Sequence, residues 1–242
     1  MSVSVVVPVY NEMDCIGPLV AEIDTAARDF PLTEIVVVDD CSDDRTPSVL
    51  QELKSKYPKL RVIRHAERSG QSTGLWTGIS HAMGQLIVTL DGDGQNNPAD
   101  IPLLYKQYES TAANMNTRRV LVAGQRIKRQ DNNVRKISSR IANKVRAFML
   151  KDGVRDTGCS LKLFRREDFL SLPFFNHLHR YIPALMLARG VQLTLVDVSH
   201  RPRLQGVSKY GLWDRLWVGI ADLFGVRWLL SRTKPVIKVT EE

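Results

Sequence analysis

Short apolar runs rich in β-branched residues, separated by segments of helical length, constrain this chain more than any other feature. The runs are Val3–Val9, Glu34–Asp39, Arg61–His65, Leu86–Leu90 and Val120–Ala123, with helical stretches near 14–28, 45–56, 71–83 and 99–110 between them. Strands that are apolar on both faces and alternate with helices indicate a mostly parallel α/β sheet covered on both sides. Ligands of such sheets bind at the carboxyl ends of the strands. That rule brings Tyr10–Glu12, Asp39–Asp40 and Asp91–Asp93 to one edge. With 242 residues, 43% of them hydrophobic, the chain can build one such domain and a short appendage. After Asp156, strand-like and helical pieces return. The expected division is a domain over 1–210 and an amphipathic helix with a polar tail over 211–242.

The formal net charge of +8 points to an anionic partner: nucleic acid, anionic lipid or a phosphorylated substrate. Eight basic residues between Arg126 and Arg146 face a single acid, Asp131, and Gln130–Asn133 reads as a mobile loop before a helix. No aromatic residue interleaves with these cations before Phe148, which argues against nucleic acid. Cys15, Cys41 and Cys159 are odd in number and widely spaced, fitting neither a disulfide framework nor a zinc site, so a reducing cytosol is expected. The start, MSVSVVVPVYNE, reads as a first strand and not as a signal peptide. No uncharged apolar run reaches the length of about 18 residues that spanning a bilayer needs.

The strongest single signal is Leu90-Asp91-Gly92-Asp93-Gly94-Gln95 directly after an apolar strand. Two carboxylates two residues apart on a strand-end turn can share one hard divalent cation with a diphosphate, and Gln95 can add a carbonyl oxygen. An acidic turn alone is common, so the surrounding motifs decide. These are Pro8-Val9-Tyr10-Asn11-Glu12, Val38-Asp39-Asp40-Cys41-Ser42-Asp43-Asp44-Arg45-Thr46, Gly70-Gln71 opening a helix, Asp91 to Pro98, and Arg203-x-x-Gly206-x-Ser208-Lys209-Tyr210.

In these motifs, taken in order, the sequence resembles the family 2 glycosyltransferases, and among them the polyprenyl-phosphate sugar transferases typified by dolichyl-phosphate mannose synthases. The resemblance covers residues 2–210 and implies a single nucleotide-sugar-binding domain of the GT-A, Rossmann-like type. It implies that Pro8, Tyr10, Glu12, Asp40, Gly70, Gln71 and Asp91 serve the nucleotide, and that Asp91, Asp93 and Gln95 hold Mg²⁺ or Mn²⁺. Asp43 is read as a cap for the following helix. Asp156 matches a family position on the acceptor side, where it would orient a sugar hydroxyl or an arginine. Two departures are Cys41 where the family often has Gly, and Ser69 where it often has Asn.

The implied reaction is inverting transfer of a sugar from a GDP- or UDP-linked donor to a polyprenyl phosphate. Phosphate monoester is largely dianionic at neutral pH and needs no strong base; the leaving diphosphate carries the difficult charge. Asp93, Arg126, Asp156, Arg203 and Lys209 are the expected catalytic set. Arg126, Arg135, Arg203, Ser208 and Lys209 are expected to take the acceptor phosphate, whereas Arg129, Lys136 and Arg146 read as solvated surface cations. The histidines at 177, 179 and 200 read as structural or interfacial. A saccharide acceptor is the alternative. Processive polysaccharide synthases carry Q-x-x-R-W, and here Arg227-Trp228 is present but Phe224 occupies the Gln position.

From Leu212 to Arg232, Trp213, Leu216, Trp217, Ile220, Leu223, Phe224 and Trp228 recur at helical spacing, with Asp214, Arg215 and Asp222 opposite. Such a helix is expected to lie in the interface of an anionic membrane, placing the protein peripherally on its cytoplasmic face. Relatives often carry transmembrane helices after this point, so a small membrane protein is the expected anchor.

Overall fold

The computed structural model describes residues 1–126, 146, 149–150, 152–202 and 212–233, with 212–218 described by backbone alone. Seven strands form one sheet: β1 (Val3–Val9), β2 (Leu32–Asp39), β3 (Leu60–Arg64), β4 (Leu86–Thr89), β5 (Val120–Arg126), β6 (Lys162–Arg165) and β7 (Gln192–Val198). Their order is β3-β2-β1-β4-β6-β5-β7. β6 runs antiparallel to β4 and β5, while every other pairing is parallel. The sheet is therefore the mostly parallel one expected from the first five runs. The inserted β6, only four residues long, has too little pattern to be read in advance.

All seven residues of β1 are buried. Val3, Val5, Val7 and Val9 enter one core layer with Ile16, Leu19 and Ile23 of helix α1 (Ile16–Ala26) and Leu104 of α4 (Ile101–Asn114). Val6 enters the opposite layer with Leu75 and Ile79 of α3 (Gln71–His81). Alternation along a fully buried strand thus feeds two cores, as a doubly covered sheet requires. Helix α2 (Thr46–Lys56) lies beside the first layer, and α5 (Arg166–Leu170) and α6 (Ile182–Ala188) beside the second. At the sheet end away from the ligand edge, buried Ser4 donates to Glu34 Oε1 at 2.7 Å. Glu34 also accepts from the Met83 N–H and pairs with Arg61.

Two local expectations change, those for Asp43 and Arg146, and the departure at Cys41 gains a physical reason. Asp44, not Asp43, accepts the N–H of Thr46 at the start of α2 (2.8 Å), and Asp43 exchanges hydrogen bonds with Asn11. Cys41 sits at φ +61°, in the left-handed region, which explains why glycine suits this turn. Arg146 is no surface cation: it is mostly enclosed and paired with the fully buried Asp152.

The last helix, α7 (Leu212–Arg232), does not present one undivided apolar stripe. Leu223 and Val226 are buried in the second core with Leu229 and Leu230 against it, whereas Ile220, Phe224 and Trp228 are exposed. Leu223 lies about 100° around the helix from Phe224, which takes it out of the expected stripe. Asp222, expected to face solvent, is held by His177 Nδ1 at 2.7 Å. The helix thus covers part of the domain core. Among the described residues no helix is long and apolar enough to cross a membrane.

Candidate active site

The carboxyl ends of β1, β2 and β4 bring the three acidic loops together. Asn11 N donates to Ser42 Oγ (2.9 Å) and Glu12 N to Thr46 Oγ1 (2.9 Å), tying the loop after β1 to the loop after β2. Asp40, nearly enclosed, accepts from Ser69 N (2.8 Å), Gly70 N (2.7 Å) and His65 Nδ1 (2.8 Å). Its carboxylate thereby shapes the turn that starts α3. The Tyr10 ring carries the Arg68 guanidinium 4.1 Å from its centroid, giving this edge an aromatic face and a cation. Pro8 is enclosed within β1, so it contributes the path of the chain rather than an open contact.

The Asp91–Gln95 loop leaves β4 pressed against β1. A Cβ on Gly92 would stand 2.6 Å from Val9 Cγ1, so only glycine lets both flanking carboxylates sit this close to the sheet. Gln71 Nε2 donates to Asp91 Oδ1 (2.6 Å), and Asp93 Oδ1 accepts from Gln95 N (3.1 Å). Burial, and then the adjoining charge of Asp93, raise the Asp91 carboxyl to about 6; Ser160, Lys162 and Arg126 oppose the rise. A buried carboxyl beside a second carboxylate is a donor set for a hard cation, whose charge would offset both the burial and the repulsion at Asp91. Among the described residues no third His, Cys, Asp or Glu completes a protein-only metal cage. The backbone carbonyl of Gln95 accepts from Arg201 N (3.0 Å), leaving its side-chain amide as the group that can add to the two carboxylates.

On the other side of β4, Arg126 at the end of β5 meets Asp156 through Nε–Oδ2 and Nη2–Oδ1 (2.5 and 2.8 Å). Burial works against the arginine's charge, but Asp156 outweighs it and raises the guanidinium further. Buried Gln125 fixes this corner by accepting from the N–H groups of Arg155 (3.0 Å) and Asp156 (2.9 Å). Gly158 completes it, since a Cβ there would lie 3.0 Å from Arg126 Nη2.

Three further polar groups converge here, of which the sequence singled out only His179, read as structural or interfacial. Lys162 of β6 is 3% exposed, and burial lowers its pKa against the pull of Cys159 and Asp91. His179 Nδ1 pairs with Ser72 Oγ (2.8 Å), and burial with the charges of Arg180 and Lys162 pushes it down to about 3. Arg180 joins them in the wall of a cleft of about 120 Å³. A lone lysine in a short strand carries no motif, so only the sheet insertion reveals it.

Arg135, Arg203, Ser208 and Lys209, together with Arg129, Lys136 and the Gln130–Asn133 stretch, lie outside the described residues. The chain does reach Arg201 beside the Asp91–Gln95 loop. Arg201 donates to Glu22 (3.0 and 2.7 Å) and to Asn97 (2.6 Å), and His200 bridges to Asn96.

Comparison with known proteins follows the same lines. The glycosyl transferase family 2 model matches residues 4–172. The chain is 33% identical over 235 residues to a dodecaprenyl-phosphate galacturonate synthase of Rhizobium johnstonii, covering 95% of this chain and 68% of that protein. It is 32% identical over 216 residues to an undecaprenyl-phosphate 4-deoxy-4-formamido-L-arabinose transferase of Edwardsiella ictaluri, covering 87% of this chain but 63% of the relative. The chain therefore spans a little under two thirds to about two thirds of these relatives' length. Glucosyl-3-phosphoglycerate synthase of Mycobacterium tuberculosis, solved with Mn²⁺, UDP and its product, shares the fold at TM-score 0.67 and 19% identity, with 98% of this chain and 81% of that one covered. Mannosyl-3-phosphoglycerate synthase of Rubrobacter xylanophilus does so at 0.65 and 18%, with 100% and 77% covered. The fold is thus of the GT-A kind, and the chain belongs to glycosyl transferase family 2.

Proposed function

We propose that this protein transfers a sugar from a nucleotide-sugar to a polyprenyl phosphate, inverting the anomeric carbon, at the cytoplasmic face of a membrane. One observation carries the reading. The strand-end carboxylates Asp91 and Asp93 stand across β4 from the locked Arg126–Asp156 pair, so a cation held by the carboxylates would meet the leaving diphosphate while Arg126 would meet the incoming anion. The named acceptors of the two polyprenyl-phosphate relatives support a lipid phosphate over a saccharide.

Tyr10, Glu12, Asp40, Gly70 and Gln71 make the nucleotide edge, with Asp40 acting through the backbone of Ser69 and Gly70. Asp91, Asp93 and the Gln95 side chain would hold Mg²⁺ or Mn²⁺. Bound there, the cation supplies Lewis acidity toward the leaving diphosphate. Gln71 fixes the orientation of the Asp91 carboxylate, and the Asp93 turn is set by the Gln95 N–H. Arg126, held planar by Asp156, offers a guanidinium to the acceptor phosphate together with Arg135, Arg203, Ser208 and Lys209. That phosphate needs no proton removed, so no general base is required.

The deciding experiment incubates the protein with Mn²⁺, UDP- or GDP-linked sugars, and either undecaprenyl phosphate or an oligosaccharide. Product extracting into organic solvent only with the lipid supports the reading. Label appearing solely on the oligosaccharide overturns it.

A further inference from the structure

The cleft beneath Asp91 holds more positive charge than the groups around it use. Its wall includes Gln71, Asp91, Ser160, Lys162, His179 and Arg180. Lys162 is almost wholly buried, yet among the described residues its ammonium donates to one acceptor alone, the Cys159 carbonyl. An ammonium has three N–H donors, and leaving them unmet in a dry site is costly. The guanidinium of Arg180, a half-buried residue, has no hydrogen-bond or ion-pair partner among the described residues. Both cations line the same cleft as His179, and burial with their charges pushes that ring well below its ordinary pKa. Arg126, by contrast, already has a carboxylate partner in Asp156, which takes two of its five N–H donors.

A polar floor with two underused cations is built to receive an anion. The cleft, of about 120 Å³, lies at the donor side of the site. Its cationic side chains, Lys162 and Arg180, call for an anionic group rather than an apolar prenyl chain. It opens beside Asp91, the residue placed at the donor diphosphate, and the sugar hangs from that diphosphate.

We infer that Lys162 and Arg180 form a receptor for a carboxylate on the donor sugar, making the preferred donor a nucleotide-linked uronic acid. The inference rests on the donor site of the proposed function. A neutral hexose would leave both cations facing an unmatched hydroxymethyl group, whereas a carboxylate can accept from ammonium and guanidinium together. One relative, named for galacturonate, takes a sugar of this class, while another, named for 4-deoxy-4-formamido-L-arabinose, takes a sugar without a carboxylate. Family membership alone therefore does not choose between them.

The test measures binding by calorimetry, with Mn²⁺ and without acceptor, for matched donors differing only in carboxylate against hydroxymethyl. The pairs are UDP-glucuronate and UDP-galacturonate against UDP-glucose and UDP-galactose, and GDP-mannuronate against GDP-mannose. Wild type should prefer a uronate by about tenfold or more, the scale of a charge-assisted contact. Arg180→Gln should reduce that preference to about threefold or less while UDP or GDP affinity stays unchanged. Lys162→Met should do the same, and circular dichroism reports whether it folds; if it does not, Arg180→Gln decides alone. Equal binding of uronate and hexose by wild type, or full preference in Arg180→Gln, overturns the inference. So does an Arg180→Gln effect confined to the KM for lipid phosphate, which would assign the pair to the acceptor. Loss of all nucleotide-sugar binding by wild type would instead refute the donor site itself.

Discussion

Arg126 Nη2 and Asp156 Oδ1 lie 2.8 Å apart in a two-pronged ion pair that joins the end of β5 to the turn before β6. Both side chains are about nine-tenths enclosed. Removing one partner leaves an uncompensated charge, a loss on the order of 3–5 kcal/mol in buried pairs. Asp156→Asn and Arg126→Gln should each lower transfer by about 10²-fold, and the double variant should be little worse than either. A double-mutant cycle on kcat/KM measures this; simple additivity would mean the two act independently.

Gly92→Ala should fold but work poorly. Its Cβ would meet Val9 Cγ1 at 2.6 Å and the Pro8 carbonyl at 3.3 Å, forcing the loop away from β1. Overpacking of this kind costs about 1–3 kcal/mol. Thermal melts should show that loss, and kcat/KM should fall further than the melt alone explains. Unchanged activity would separate the loop position from catalysis.

Metal binding should be visible without turnover. Mn²⁺ should raise the melting temperature of wild type by mass action and leave Asp93→Asn unmoved. The same variant should lose transfer while keeping its far-ultraviolet spectrum. A Mn²⁺ shift of wild-type size in Asp93→Asn would remove Asp93 from the ligand set.

Glu34 supplies a pH dependence of folding. Burial would raise its carboxyl, but the Met83 N–H, Arg61 and Ser4 together hold it below the ordinary value. A depressed folded pKa contributes stability that is complete above the unfolded value, about 4.3, and is lost as pH falls through the folded one. Glu34→Gln should therefore be less stable than wild type at pH 7, by about 1–3 kcal/mol. The gap should narrow steadily as pH drops below about 4.3. Urea titrations across that range would expose a constant gap, which would deny the carboxylate its role.

Membrane attachment should follow the exposed face of α7. Ile220, Phe224 and Trp228 project from it, whereas Leu223 and Val226 belong to the core. Replacing the first three by Ala should reduce flotation with anionic liposomes while leaving the melting temperature within a few degrees. Flotation equal to wild type would shift attention to another surface.

Periodicity determined the five parallel strands, and with them the edge where the acidic loops meet, because burial on both faces leaves an unbroken apolar run; the order of the strands in the sheet came only from the structure. The spacing of Asp91 and Asp93 after such a run was equally legible, since strand and turn are local. What required the tertiary structure were pairings between residues far apart. Asp156 with Arg126 and Lys162 under Asp91 come together because β6 inserts antiparallel between β4 and β5, while His179 meets Ser72 where the turn at Leu178–Arg180 packs on α3. Helix α7 makes the same point from the other side. Its sequence repeats apolar residues around much of the circumference, and only packing against the second core decides that Leu223 and Val226 turn inward while Phe224 and Trp228 stay out. A helix's own pattern reports how much apolar surface it has; the neighbour that covers part of it sets which part remains.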